Sequence, residues 1–350
     1  MLLEAIAARV FPAAAVEIGS SAGALWTEAF GTLTFAEDAS GTSAATVFDL
    51  ASLTKVIATT TAILQLAGLG ALRLDERLTA LFEEWRGADR EGVTIADLLE
   101  HSSGLAARLA DPAGSSRREF EHDICTMPLE YAPRRQSIYS DLGFILLGFI
   151  VADRGTPIPG SGGPAVSLES VVSALDGRSD PLMFTPPSAI AARAAPTMPM
   201  TNDARRGRML AGEVHDDYAA ALGGVAGHAG LFGTAPAVGR FARTMLRAAR
   251  GDAGVPAAFG PALVRRFITR SPVPGSSRAL GWDTMLPTSS CGTRMTAAAF
   301  GHVGFTGTSL WIDPGRDRYF VLLTNRACGG GTLDQMRDVR RAFHDALGDV

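Results

Sequence analysis

Strand-like runs crowd the two ends of this chain and are scarce between them, so a sheet built from them has to bring the ends together. Near the N-terminus "AAVEIGS" and "GALWTEAFG" flank a Ser-Ala-Gly turn and predict a hairpin. Near the C-terminus "ALGWDTM", "AAFGHVG", "TSLWIDP" and "RYFVLLTNR" are short runs bounded by Gly, Pro, Asp and Asn, suited to consecutive antiparallel strands. Helical patterns fill the middle: "TIADLLEHSS", opened by a capping box of Thr94 and Asp97, then "DLGFILLGFIVADR" and "AVGRFARTMLRAAR". A last helix, "LDQMRDVRRAFHDAL", carries Leu333, Met336, Val339, Phe343 and Leu347 near helical spacing and would pack on the sheet. The stretch "GTPIPGSGGP" reads as a loop, and residues 180–215 as long irregular structure. The fold class expected is α+β: an antiparallel sheet from residues 1–75 and 275–350, flanked by helices, with an inserted, mostly helical region over 76–274, together one domain of 1–350.

With 350 residues, 47% hydrophobic and 19% charged, the chain can bury a sizeable core. A net charge of -4 and a pI near 5.9 leave no electrostatic footprint for nucleic acid or an anionic membrane surface. No run reaches the roughly 20 apolar residues of a spanning helix. The opening "MLLEAIAARV" places Glu4 and Arg9 inside its apolar run, which predicts a short amphipathic helix rather than a signal peptide. Cys125, Cys291 and Cys328 are odd in number and lack metal-ligand spacing, so they read as reduced thiols in a cytoplasmic protein.

Among the 32 Lys and Arg residues only Lys55 is a lysine. Arginine keeps its proton in proteins, whereas a lysine amine can give its proton up, so the position that stayed lysine is one where a removable proton is useful. Lys55 stands three places after Ser52 in "FDLASLTKVIATTT". A helix starting at Ser52 puts hydroxyl and amine one turn apart on one face. The apolar or small residues from Val56 to Leu69 predict that this helix is buried, and burial lowers an amine's pKa. Both features suit a nucleophilic serine with the lysine as its base.

Two further stretches complete a pattern. "QSIYSDLGFILLG" supplies Tyr139 and Asp141 before an apolar helix, and "FGHVGFTGTSLWIDP" supplies His302 and Gly304, then Phe305 and Thr306. In order and spacing, Ser52-x-x-Lys55, Tyr139-x-Asp141 and His302-x-Gly304 resemble the class C β-lactamase and penicillin-binding-protein family of serine hydrolases, and "FDLASLTK", "LLEHSSGL", "GLFGTAPAVGRFA" and "TSLWIDP" agree. The resemblance runs from about residue 10 to the C-terminus. It implies a β-lactamase/transpeptidase-like fold and an acyl-enzyme on Ser52, with Lys55 and Tyr139 sharing a proton as general base and acid. It also implies an oxyanion hole from the backbone N–H groups of Ser52 and Phe305, and Asp141, His302, Gly304 and Thr306 facing substrate.

Two departures bear on the substrate. His302 stands where lactamases have a lysine for the penicillin carboxylate, which resembles D-aminopeptidases and related amidases. Asp141 replaces an asparagine that donates to a substrate carbonyl, and an ionised Asp only accepts. Slow or absent β-lactam hydrolysis is therefore expected, with amide cleavage in small peptides or muropeptides first, carboxylesterase or β-lactamase activity second, and a non-turnover penicillin sensor third. "GRMLAGEVHDDYAAALGGVAGHAGLFGTA" is similar to the branch acting on peptidoglycan fragments; its His215 and His228 lack metal-ligand spacing and read as loop-stabilising, and no metal or organic cofactor is expected. His101 reads as a helix-end residue bonded to its own turn. The clusters "PRRQ" and "ARRGR" read as solvated faces, with Arg205, Arg206 and Arg208 as a secondary candidate for an anionic substrate group.

Overall fold

The computed structural model describes residues 1–110, 114–155, 165–177, 179–256 and 259–347. Along the chain the strands among these residues are β1 (Ala13–Ser20), β2 (Gly23–Gly31), β3 (Phe48–Asp49), β4 (Leu182–Phe184), β5 (Leu231–Gly233), β6 (Asp283–Thr284), β7 (Phe300–Val303), β8 (Ser309–Asp313) and β9 (Arg318–Thr324). Six of them form one antiparallel sheet in the order β2-β1-β9-β8-β7-β6, the N-terminal hairpin joining the C-terminal strands where Ile18 faces Phe320 and Val16 faces Leu322.

β1 is buried along its whole length because both of its faces are covered. Its alternation sends Ala13 and Ala15 into a large core with Tyr319, Val321 and Leu323 of β9. Ala14, Val16 and Ile18 enter a second core with Phe320 and Leu322. The large core is covered by the helix Ala235–Arg250, which Thr234 caps by accepting the Ala237 N–H and Gly251 ends at φ 79°. The second is covered by Leu2 and Ala5 of the helix Leu2–Ala7 and by Met336 and Phe343 of the helix Leu333–Ala346. This layering is the β-lactamase/transpeptidase-like, α+β architecture expected.

The run "ALGWDTM" pairs only over Asp283–Thr284. Trp282 leaves the sheet plane to stack on Phe241, with centroids 6.2 Å apart, and to meet Phe300 edge-on at 4.9 Å. β3, from the N-terminal part expected in the main sheet, instead joins β5 and β4, which the helical patterns of the middle hid, in a small antiparallel sheet of order β3-β5-β4. It fastens the segment before Ser52 to the GLFG stretch, Leu50 N–H donating to Leu231 O at 2.9 Å. The expected loop 155–164 lies, beyond Gly155, outside the described residues. Among the described residues no helix is long and apolar enough to cross a membrane.

Candidate active site

Ser52 sits on a turn held from behind by a carboxylate. Asp49 is 3% exposed; its Oδ1 accepts the Ala51 N–H at 2.8 Å and its Oδ2 the His215 N–H at 2.6 Å, while its carbonyl takes the Thr306 hydroxyl at 2.7 Å. Burial pushes the Asp49 carboxyl up to about 6 against the pull of those N–H groups. Ala51 adopts φ 47°, a left-handed conformation that costs an alanine energy and that the bonds to Asp49 sustain. The chain then enters a π-helical stretch, Lys55–Thr60, in place of the regular helix expected, continuing as the helix Thr61–Gly68. Wide turns of this kind concentrate at functional sites.

Lys55 is completely buried, and its Nζ donates to Ser52 Oγ at 3.0 Å, Asp141 Oδ1 at 2.7 Å and His228 O at 3.0 Å. Three acceptors match the three protons of an ammonium group. The expectation of a depressed amine is corrected: burial pushes the pKa down, but the Asp141 carboxylate and Tyr139 outweigh it, and the net shift is upward. Asp141 is corrected with it. Rather than offering a spare acceptor to substrate, it gives Oδ1 to Lys55, and its Oδ2 lies 3.5 Å from Arg108 Nη1. Its place at the first residue of the helix Asp141–Arg154, capped by Ser140, favours the negative charge.

Ser52, Tyr139, Asp141, His302 and Gly304 all line one cavity of about 610 Å³. The Tyr139 ring lies 4.9 Å from Lys55 Nζ, and its buried hydroxyl has no hydrogen-bond partner among the described residues. Burial raises the phenol's pKa, and the Lys55 charge only partly offsets it. His302 donates Nδ1–H to Val303 O at 2.8 Å, which leaves an unpartnered Nε2 lone pair. Burial, then the charges of Arg278 and Lys55, hold this imidazole neutral, its pKa well below the usual value.

Gly304 is where the β7–β8 turn meets the serine turn: a Cβ there would lie 2.1 Å from Thr308 Oγ1 and 2.7 Å from Leu50 O. Among the described residues neither the Ser52 nor the Phe305 N–H is engaged, as an oxyanion hole requires. Thr306 is corrected: it is fully buried and its hydroxyl is spent on the Asp49 carbonyl, so it braces the turn instead of meeting substrate. His101 bonds its own turn at the helix end, its N–H donating to Leu98 O at 3.2 Å, and it also braces the neighbouring segment: its Nδ1 accepts the Ser140 N–H at 3.1 Å and its ring packs 4.7 Å from Tyr139.

His215 and His228, read as loop side chains, both line the cavity. His228 Nε2 lies 2.7 Å from Asp216 Oδ1, and Asp216 Oδ2 accepts Arg108 Nη1 at 3.1 Å. The His215 ring stacks on Phe305 at 5.4 Å. Arg205 and Arg208 are occupied by Asp203 and Glu213, and Arg205 also donates to the carbonyls of Val214 and His215, so these two arginines are local staples. Sequence reasoning missed Asp49, Arg108 and Arg278. Arg108 and Arg278 line the cavity, and no spacing within the chain relates them to Ser52.

A serine bonded to a buried lysine at the wall of a cavity, on this layered fold, defines a serine hydrolase. A sequence model described as Beta-lactamase matches residues 3–344, and the chain belongs to the beta-lactamase family. It is 32% identical over 317 residues to a protein of Escherichia coli (strain K12) called "Putative D-alanyl-D-alanine carboxypeptidase", the match covering 80% of this chain and 69% of the relative. A similarly named Salmonella gallinarum protein is 31% identical over 315 residues, with the same coverage of both chains. In fold it is similar to a class C beta lactamase from Rhodobacter sphaeroides, with TM-score 0.71, 18% identity and coverage of 99% of this chain and 97% of that one. It is also similar to a penicillin-binding protein homolog from Caulobacter crescentus, with TM-score 0.68, 20% identity and coverage of 97% and 96%.

Proposed function

We propose that this serine hydrolase cleaves the amide bond of small peptides, muropeptides among them, that end in a free carboxylate, through an acyl-enzyme on Ser52. Arg278 is the observation that carries this reading. Its guanidinium lines the cavity 5.1 Å over the Tyr139 ring, with no ion pair or side-chain hydrogen bond among the described residues. A guanidinium in a cleft, with its fork unused, is suited to a carboxylate. The neutral His302 beside it could not supply that charge. The carboxypeptidase name carried by the Escherichia coli relative points the same way.

In this reading the resting Lys55 ammonium first loses a proton, so that it or Tyr139 can take the Ser52 proton as Oγ attacks the carbonyl. The Ser52 and Phe305 amides receive the oxyanion, the amine leaves with the proton, and water releases the acyl group. The two mismatches raised against penicillins weaken here, because Arg278 offers a cation and Asp141 is occupied by Lys55.

The test compares a D-alanyl-D-alanine-terminated peptide with its C-terminal amide. A charge-assisted pair should favour the free acid by about 10- to 100-fold. Arg278→Gln should erase the difference while leaving cleavage of the amide unchanged. Equal rates in the wild type, or nitrocefin turned over faster than every peptide, would overturn the reading.

A further inference from the structure

Beside the β7–β8 turn two buried arginines stand without a carboxylate among the described residues, and one of them, Arg340, also lines the cavity. Arg340, 6% exposed on the helix Leu333–Ala346, donates Nη2 to Gly304 O at 2.7 Å and to Thr308 O at 2.9 Å. Arg326, 7% exposed, donates Nε and Nη2 to Phe305 O at 3.1 and 2.7 Å and Nη1 to Gly331 O at 2.7 Å. Among the described residues neither makes an ion pair, and each is the other's cationic neighbour. Burial, with Arg326 adding to it, lowers the Arg340 pKa to about 9, which still leaves it charged at neutral pH. Buried charge without a counter-ion is unfavourable, and replacing it with apolar side chains of similar volume often stabilises a fold. Hydrogen bonds to carbonyls alone do not call for two guanidinium groups.

The atoms they hold suggest what does. Gly304 O and the Phe305 N–H belong to one peptide unit, and Phe305 O belongs to the next. A cation bonded to an amide oxygen withdraws electrons through the C–N bond and makes the N–H a stronger donor. Each arginine also fixes the orientation of a peptide plane beside Phe305.

We propose that Arg340 and Arg326 are positioning residues for the oxyanion hole: Arg340, through Gly304 O, locks and polarises the Phe305 N–H, Arg326, through Phe305 O, fixes the peptide plane that follows it, and the negative charge that balances them is the oxyanion formed during acyl transfer. The proposal rests on Ser52 and the Phe305 N–H acting as read above, but not on which substrate is cleaved.

A fluorophosphonate probe tests it, because Ser52 Oγ displaces fluoride at phosphorus, the serine proton is taken up by the base, and the phosphoryl oxygen occupies the hole, with no peptide involved. Failure of the wild type to label at Ser52 would sink the nucleophile assignment and this proposal with it, whereas peptide specificity has no bearing on the result. In Arg340→Met, which keeps the side-chain volume, the second-order labelling rate should fall about 10- to 100-fold, short of the full loss of an oxyanion donor. Arg340→Lys, which keeps the charge, should recover most of it. The pH at which the rate rises should not move, since Lys55 and Asp141 are untouched. Labelling within threefold of wild type, or a shifted pH profile, would overturn the proposal. Should Arg340→Met fail to fold, Arg326→Met is read by the same criteria.

Discussion

Lys55 is where the chain's lone lysine meets its tertiary environment. Arginine at this position keeps a charge but cannot surrender a proton, and its fork cannot copy one nitrogen shared among Ser52 Oγ, Asp141 Oδ1 and His228 O. Ser52→Ala should abolish turnover, and Lys55→Arg should lower kcat by about 10²- to 10⁴-fold, the usual worth of a general base; most activity surviving in the arginine variant would refute the lysine's role. The charge state gives a second test. Asp141 raises the pKa of both Lys55 and Tyr139, so whichever of them is the base, the active form has lost a proton and kcat/KM should rise with pH. Removing the anion in Asp141→Asn lowers both pKa values, which moves that ascending limb to lower pH. A limb that stays in place, or moves up, would show that Asp141 does not govern the base.

At the scale of elements, the site is a meeting of three loops tied through Asp49: the serine turn by Ala51, the His215 segment, and the turn after β7 by Thr306. Asp49→Asn keeps the shape but aims an NH2 group at one of two backbone N–H donors. An unmatched buried donor costs on the order of 1–3 kcal/mol, so urea unfolding should show a loss of that size, accompanied by slower turnover. An unchanged unfolding midpoint would mean that the carboxylate does not join these segments. The π-helical stretch after Ser52 shows why element boundaries escape a sequence reading. Apolar periodicity finds a buried helix, but the hydroxyl of Thr61 donates to Val56 O five residues back, and Thr59 donates to Gly227 O. The first is a local bond that widens the turn, and the second depends on where neighbouring chain lies, which periodicity does not encode.

For the whole molecule, the sheet between two helical layers was legible because alternation in "AAVEIGS" and "RYFVLLTNR" and the stripe Met336 to Phe343 are local consequences of what each residue buries. β3, β4 and β5 were not legible: each spans two or three residues, too short for a period to register. The site divides in the same way. Ser52, Lys55, Tyr139 and His302 could be read as motifs, since their chemistry depends on residue type and short spacing. The roles of Asp141 and Thr306 were misread, because a carboxylate that accepts from substrate and one that accepts from Lys55 are the same letter, 86 residues away from its partner. Arg278, Arg326 and Arg340 carry no signal among so many arginines; what sets them apart is where the fold puts them, Arg278 at the cavity wall and Arg326 and Arg340 buried, with no ion pair among the described residues. By itself the sequence determined which groups can exchange a proton and which faces must be buried, because both follow from side-chain chemistry and local period. Tertiary structure alone decided which charges are paired and which stand free in the cavity, because Coulomb energy depends on distance through space and burial, and neither is written along the chain.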